Sequence, residues 1–526
     1  MSSTASAAPV APATKSGADF VAHVHSISRQ SSVFFLGTVF TVAAGYLFKI
    51  YLARVLGAEA LGIYALGMTA GGLVAIVGAA GMPSIASRFV AIYASSGQTR
   101  KLARLLWIGG LTLLFSNILV GALMIAARRL IAGRVYHTPV LAQYMHLFAA
   151  IMVLGALTTF LGQALGGYKD VARRTVITSF IGTPATMVFS IILLALGFGL
   201  WGYLAAQIAS AVLVFILLAA AIWRLTPPAA RNPFAVRDPA APWFEREVVS
   251  FAGLALGTQA LEFISGQSDR IILGIFLNAR EVGIYSVAAT MVVFVGLFLQ
   301  SINQIFAPTI AELYSQGKLE LLSRLYQTLT KWTLGLTIPL ALGIMIYSKP
   351  LMGIFGRDFR EGWPVLAIAT IGQLVSCGAG SVGLMLFMSD QQHRMVRAQA
   401  ITVFLTVGLN LVLIPKLGLV GAAIATAATN ISLNLLWFRD VRQRLKISPG
   451  RGGYISLILP TLVTMIVLFA LQIVLRPRLP EAILVLVGLT AGYIVFGLAA
   501  FRFSFNSEDK LLATSAYARL RGRFVG

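Results

Sequence analysis

The chain has 526 residues, of which 58% are hydrophobic and 11% charged, and its mean hydropathy is +0.85. A soluble domain carries about 25% charged residues, so a water-soluble globule is excluded. The formal charge of +23 comes from 41 Lys and Arg spread over connecting segments rather than gathered in a basic domain, a pattern of membrane-topology signals and not of nucleic-acid binding.

In chain order, residues 1–30 are rich in Ala, Ser, Thr and Pro and lack the charged and apolar regions of a cleaved signal, so they are expected to form a mobile cytoplasmic tail. Fourteen apolar stretches of about 20 residues follow, each long enough to cross roughly 30 Å of hydrocarbon. The predicted spans are 32–52, 61–82, 105–126, 144–164, 176–197, 201–223, 249–273, 283–306, 329–348, 364–387, 398–415, 418–438, 454–475 and 482–501. With the amino terminus inside, the inner segments hold 28 of the 41 basic residues, which favours both termini in the cytoplasm and requires an even number of spans. The Pro-rich polar segment 224–247 reads as a cytoplasmic linker. The single cysteine, Cys377, lies in an apolar stretch and reads as a small core residue.

An internal repeat organises these spans. Leu52–Thr69 and Leu273–Thr290 agree at seven of eighteen positions at an offset of 221, including Gly62/Gly283 and Tyr64/Tyr285. Gly199-Leu-Trp-Gly202 pairs with Gly418-Leu-Val-Gly421 at an offset of 219, and Gly162, Leu165 and Arg173 pair with Gly383, Leu386 and Arg394. Each anchor carries span n onto span n+6, so the halves share one orientation and should be related by a pseudo-two-fold along the membrane normal. The expected fold is therefore an all-α polytopic membrane protein of two six-helix lobes, 31–223 and 248–440. A final helix pair at 441–503 and a cytoplasmic tail at 504–526 complete it. Such repeats enclose a cleft that rocking can open to either side, which makes transport the default reading and a merely stabilising duplication the alternative.

Ionisable groups inside spans cost roughly 2.5–3.5 kcal/mol each and mark cavities or ion pairs. From Val33 to Trp223 the only acids are Glu59 and Asp170, at membrane edges, while Lys49, Arg54 and Arg88 lie within or near helix ends, so a cavity lined by this lobe would be positive. The alternative is that these side chains snorkel to lipid headgroups. Span seven places Gln259, Glu262, Ser265 and Asp269 on one helical side with Gly266 inside the stripe and Arg270 at its edge. It reads as a solvated wall or proton-accepting site, or as one half of a buried ion pair. Gln300, Asn303 and Gln304 give span eight a polar face suited to sugar hydroxyls or to a neighbouring helix. Pro83 and Pro308, just after spans two and eight, should end or bend a helix. There is no phosphate-binding G-x4-G-K-[ST] loop, no His/Cys/Asp cluster with metal spacing, and no soluble domain that could house a sugar transferase. No cofactor and no metal are expected.

The segments Ala53–Gly67, Gly81–Tyr93, Ser268–Ala288 and Asn410–Thr429 resemble the polysaccharide transport family, the lipid-linked oligosaccharide (O-antigen-type) flippases of the multidrug/oligosaccharidyl-lipid/polysaccharide exporter superfamily. The resemblance covers most of residues 30–500. It implies a non-enzymatic flippase that moves an undecaprenyl-pyrophosphate-linked oligosaccharide across the bacterial inner membrane by alternating access, for lipopolysaccharide or exopolysaccharide synthesis. The implied partners are that substrate, membrane lipids, and a polysaccharide polymerase with its chain-length machinery. It further implies cavity-facing cations for the pyrophosphate, for which Arg54, Arg88 and Arg270, and secondarily Lys49, are the candidates. Asp269 would orient Arg270 or join Glu262 in a coupling path. Three readings compete: a cation-coupled multidrug extruder, which should carry acids that the first lobe lacks; a membrane glycan polymerase or ligase, which should carry an outer loop longer than about sixteen residues; and a non-transporting scaffold.

Overall fold

The computed structural model describes residues 15–231, 246–448 and 450–504. Residues 1–14, most of the expected linker (232–245) and the tail 505–526 lie outside the described residues. The remainder is helical, with no strand among the described residues.

Twelve helical segments are long and apolar enough to cross a membrane. Two of them are too long to do so once: Leu36–Ala79 has 44 residues and Gln392–Arg444 has 53. At about 1.5 Å per residue these would be about twice the hydrocarbon thickness or more. Both are broken by a glycine with non-helical backbone, Gly57 (φ 78°, ψ 176°) and Gly418 (φ 59°, ψ −133°), at which a side chain would strain the chain. Divided there, the twelve segments become fourteen, the number expected from sequence, although the tenth ends at Ala379 before Gly380 (φ 68°) instead of running on to 387. We number them α1 (15–56), α2 (58–79), α3 (Thr99–Ala126), α4 (Leu141–Gly167), α5 (Val171–Ala195), α6 (Gly199–Leu225), α7 (Arg246–Phe276), α8 (Ala279–Ser315), α9 (Leu319–Ile346), α10 (Asp358–Ala379), α11 (392–417), α12 (419–444), α13 (Arg451–Leu475) and α14 (Glu481–Phe503). The first helix begins at Lys15, inside the segment expected as a tail.

The repeat reappears in local geometry. The α5–α6 turn uses Gly199 (φ 54°) and sets Gly202 against Leu193, while the α11–α12 turn uses Gly418 and sets Gly421 against Leu413 and Ile414. Residues eight apart on one continuous helix would be about 12 Å apart, so the chain reverses at Gly418. The α1–α2 break at Gly57 has its repeat counterpart at Asn278, which instead caps α8 through a reciprocal bond pair with Glu281. Pro83 opens a separate helix, Met82–Ser95, after the left-handed Gly81 (φ 73°). Pro308 does not end its helix, because α8 runs on to Ser315.

The chain divides into two compact units, each discontinuous in sequence. The first comprises residues up to 49 with 73–126 and 145–259; its core gathers Ile85 and Phe89 with Leu113, Phe160 and Leu218. The second comprises, among the described residues, 50–72, 127–144 and those from 260 to 504. One of its cores gathers Phe306, Tyr326, Met385 and Val441, and α13 and α14 pack on each other and on α9. Cys377 is fully buried there, its thiol 3.5 Å from the carbonyl of Val295.

Candidate functional site

In the first unit the helix Met82–Ser95 presents Arg88 beside the Arg246–Gln259 length of α7. Gly81 permits the approach: a methyl group on it would fall 2.6 Å from the carbonyl oxygen of Ala252. The Arg88 guanidinium donates to Glu247 (Nη2–Oε1 3.2 Å) and lies over the rings of Phe89 and Phe251, at 5.4 and 4.8 Å from their centroids. Glu247 stands in the first turn of α7, where the helix dipole favours an anion. One turn before Arg88, Ser84 accepts a bond from the amide of Gln259 (3.1 Å). The Arg88 and Glu247 side chains are 49% and 66% exposed, so the pair is screened by solvent and contributes little to stability.

In the second unit Asp269 is buried and Arg270 half-buried. One carboxylate oxygen of Asp269 accepts from the Tyr285 hydroxyl (2.7 Å) and the other from the backbone N–H of Arg270 (2.7 Å). Tyr285 also lies 3.3 Å from the Thr426 hydroxyl, so this carboxylate ties α7 to α8 and α12. The Arg270 guanidinium donates to Gln267. Glu262, Ser265 and Gly266, midway along α7, are exposed, as are Gln300 and Gln304 on α8. Asn303 turns aside from those two and accepts from Ser381 (2.6 Å), at a cavity of about 300 Å³ that Asn434 and Trp437 also line. Arg54 donates to the backbone carbonyl of Ile354 (2.8 Å), at the end of the short helix Ser348–Gly353. Lys49, which belongs to the first unit, is half-buried and occupies the repeat position of Arg270 in sequence, at the offset of 221.

In the first unit Arg88 shares its helix with Ser84, the partner of Gln259; in the second Asp269 binds the backbone of Arg270, and Arg54 binds Ile354. Sequence reasoning missed the partners of these side chains, among them Glu247, Phe251, Gln267 and, in its bond to Asp269, Tyr285. Gln267 precedes Arg270 by three residues and was findable by helical spacing. Glu247 is 159 positions from Arg88, and nothing local links them. Among the described residues no group of three His, Cys, Asp or Glu side chains could hold a metal ion.

Comparison with known proteins places the chain in a family. Residues 27–314 match the family described as polysaccharide biosynthesis protein, and residues 255–415 match the MatE family. A probable low-salt glycan biosynthesis flippase of Haloferax volcanii is 31% identical over 160 residues, 30% of this chain and 34% of that protein. A probable flippase of the same organism is 26% identical over 246 residues, 46% of this chain and 51% of that one. The matches therefore span about a third to a half of the length of these relatives. The fold is that of the lipid II flippase MurJ in an inward closed conformation (TM-score 0.70, 16% identity, 89% of this chain and 98% of that chain). With a family match covering more than half of its length, this multi-pass helical membrane chain belongs to the polysaccharide biosynthesis protein family.

Proposed function

We propose that the protein is a flippase for a lipid-linked oligosaccharide, moving an undecaprenyl-pyrophosphate-linked glycan from the cytoplasmic to the periplasmic leaflet of a bacterial inner membrane by alternating access. It does so without catalysing a covalent step, and both termini are cytoplasmic. The reading rests chiefly on the exposed Glu262 and Ser265 halfway along α7, with the exposed Gln300 and Gln304 on α8. Polar side chains at such depth are tolerated where they meet water, and a glycan needs a wet path. Arg88 and Arg270 supply cations for a pyrophosphate: among the described residues one is held by an exposed pair and two aromatic faces, the other by a glutamine. Arg54 and Lys49 are secondary candidates. The relatives named as flippases support the same substrate class.

The test is reconstitution of the purified protein in liposomes carrying an undecaprenyl-pyrophosphate oligosaccharide, with sidedness read by a membrane-impermeant glycan-modifying enzyme. The outer-leaflet fraction should exchange with the inner one faster than in protein-free liposomes. No acceleration with well-folded protein defeats the proposal. The MatE match favours a second reading, a cation-coupled extruder. Efflux of a cationic dye by the same liposomes distinguishes it, and the scarcity of acids between Val33 and Trp223 argues against it.

A further inference from the structure

The first unit contains an apolar cavity lined by none of the residues proposed above for transport. Helix α3 loosens into a π-helical turn at Leu105–Gly109, a distortion common at functional sites. Beside it lies a cavity of about 330 Å³ lined by residues that include Trp107, Gly110, Phe160, Phe215, Trp223 and Arg231. Gly110 lines the floor opposite the Phe160 ring: a methyl group there would meet the ring at 3.8 Å, an ordinary contact, so a larger side chain is needed to fill the space. Apart from Thr226 and Arg231 the lining is apolar, and the Thr226 hydroxyl is already engaged by Ile222 and Tyr168. A sugar would find nothing to bond along most of its wall.

One end of the cavity has the opposite character. The short helix Pro228–Arg231 packs on the start of α3 at Thr99–Arg104. That brings Arg231 to the end of the bundle where Lys101, Arg104 and Arg224 also stand. Arg231 is held in place by two backbone carbonyls, Thr226 (2.9 Å) and Arg224 (3.3 Å), and lies 5.7 Å from the centre of the Trp223 ring. No carboxylate pairs with it among the described residues. The guanidinium is thus positioned without being neutralised, where an apolar slot reaches a membrane surface; basic pockets of this kind bind anionic headgroups.

We propose that this cavity is a binding site for an anionic phospholipid, with one acyl chain in the slot between α3, α4 and α6 and the phosphate at Arg231. Charge complementarity selects this occupant, because a zwitterionic lipid would gain the slot but little from the cation. The inference is independent of what the protein transports.

Tryptophans 107 and 223 line the slot and report on it. Full-length protein in phosphatidylcholine vesicles is compared with a small fraction of brominated phosphatidylglycerol or brominated phosphatidylcholine, and tryptophan quenching is measured. Phosphatidylglycerol should show about a fivefold higher apparent affinity, the share of one cation near a membrane surface. Arg231→Gln should abolish that preference, Gly110→Leu should weaken quenching by both lipids, and the preference should disappear from the signal in the W107F/W223F double variant. Equal quenching of the unaltered protein by the two lipids overturns the proposal and involves no variant that could misfold. A preference that survives in folded Arg231→Gln or in W107F/W223F overturns it too. So does displacement of either lipid by a polyprenyl phosphate without preference for phosphatidylglycerol, which would assign the slot to an isoprenoid chain.

Discussion

Gly62 on α2 and Gly283 on α8 meet backbone to backbone, and the contact is reciprocal. A methyl on Gly62 would fall 3.0 Å from the Gly283 nitrogen and overlap the carbonyl of Ala279; one on Gly283 would fall 2.9 Å from the Gly62 nitrogen and overlap the carbonyl of Ala58. Ala58 and Ala279 are themselves repeat partners at an offset of 221. Each half of the repeat thus offers the other the same surface, as a two-fold axis requires. Small residues are the means by which helices in lipid approach so closely.

This contact should be intolerant of a single carbon. Either Gly62→Ala or Gly283→Ala forces the helices apart, at a cost of about 1–3 kcal/mol by analogy with overpacked cores. Thermal unfolding of the purified variants should begin well below that of the unaltered protein. Gly45→Ala is the control, since no atom lies within 4 Å of a methyl there, and its unfolding temperature should not fall.

Arg88 and Glu247 separate a stability role from a transport role. An exposed pair of this kind contributes about 0–1 kcal/mol, so Glu247→Gln and Arg88→Gln should unfold within about a degree or two of the parent. The charge exchange Arg88→Glu with Glu247→Arg keeps the pair but moves the cation. If Arg88 receives the substrate phosphate, glycan translocation should fall at least about tenfold in the exchanged protein while folding is unchanged. Full translocation in the exchanged protein would show that only the pairing matters.

The spans were legible because length and apolarity alone define them, and the repeat because its anchors are glycines that the backbone demands at Gly62, Gly283, Gly199 and Gly418. The side chains around the charges were less so. The stripe Gln259–Asp269 reads as one continuous face, yet the chain uses it piecewise: Gln259 bonds Ser84 in one unit, Glu262 and Ser265 are exposed, and Asp269 is buried against Tyr285. Periodicity tells which residues share a side of a helix. It does not tell that the helix passes from one packing unit to another along its length, because that depends on contacts made by residues more than a hundred positions away.

The two equivalent turns at Gly57 and Asn278 should fail in different ways. Gly57 has φ 78° and ψ 176°, a region that residues with a Cβ scarcely enter, so Gly57→Ala should cost about 1–3 kcal/mol through backbone strain. Asn278→Ala removes the cap on the Glu281 N–H and should cost about 0.5–2 kcal/mol. Asn278→Asp should restore most of the latter, because a carboxylate caps the same N–H and suits the helix terminus. Unfolding midpoints of the three variants measure these differences, and an Asn278→Asp protein no better than Asn278→Ala would exclude the capping explanation.

Asp269 and Arg270 are neighbours with separable duties. Each oxygen of the Asp269 carboxylate is satisfied, and Tyr285, 2% exposed, is its side-chain donor. Tyr285→Phe leaves a buried carboxylate oxygen short of a bond, which should destabilise the protein by about 1.5–3 kcal/mol. Asp269→Asn should cost less, since the amide can still accept from the tyrosine or donate to its oxygen. Arg270 is half-buried and its guanidinium is bonded to Gln267, so Arg270→Gln should leave the unfolding temperature near that of the parent. If its cation receives the pyrophosphate, translocation should drop in Arg270→Gln and return substantially in Arg270→Lys, which restores the charge without the planar fork. The opposite pattern, with stability lost in Arg270→Gln and unchanged in Tyr285→Phe, would mean that the arginine is the structural member of the pair and the aspartate the one free to act.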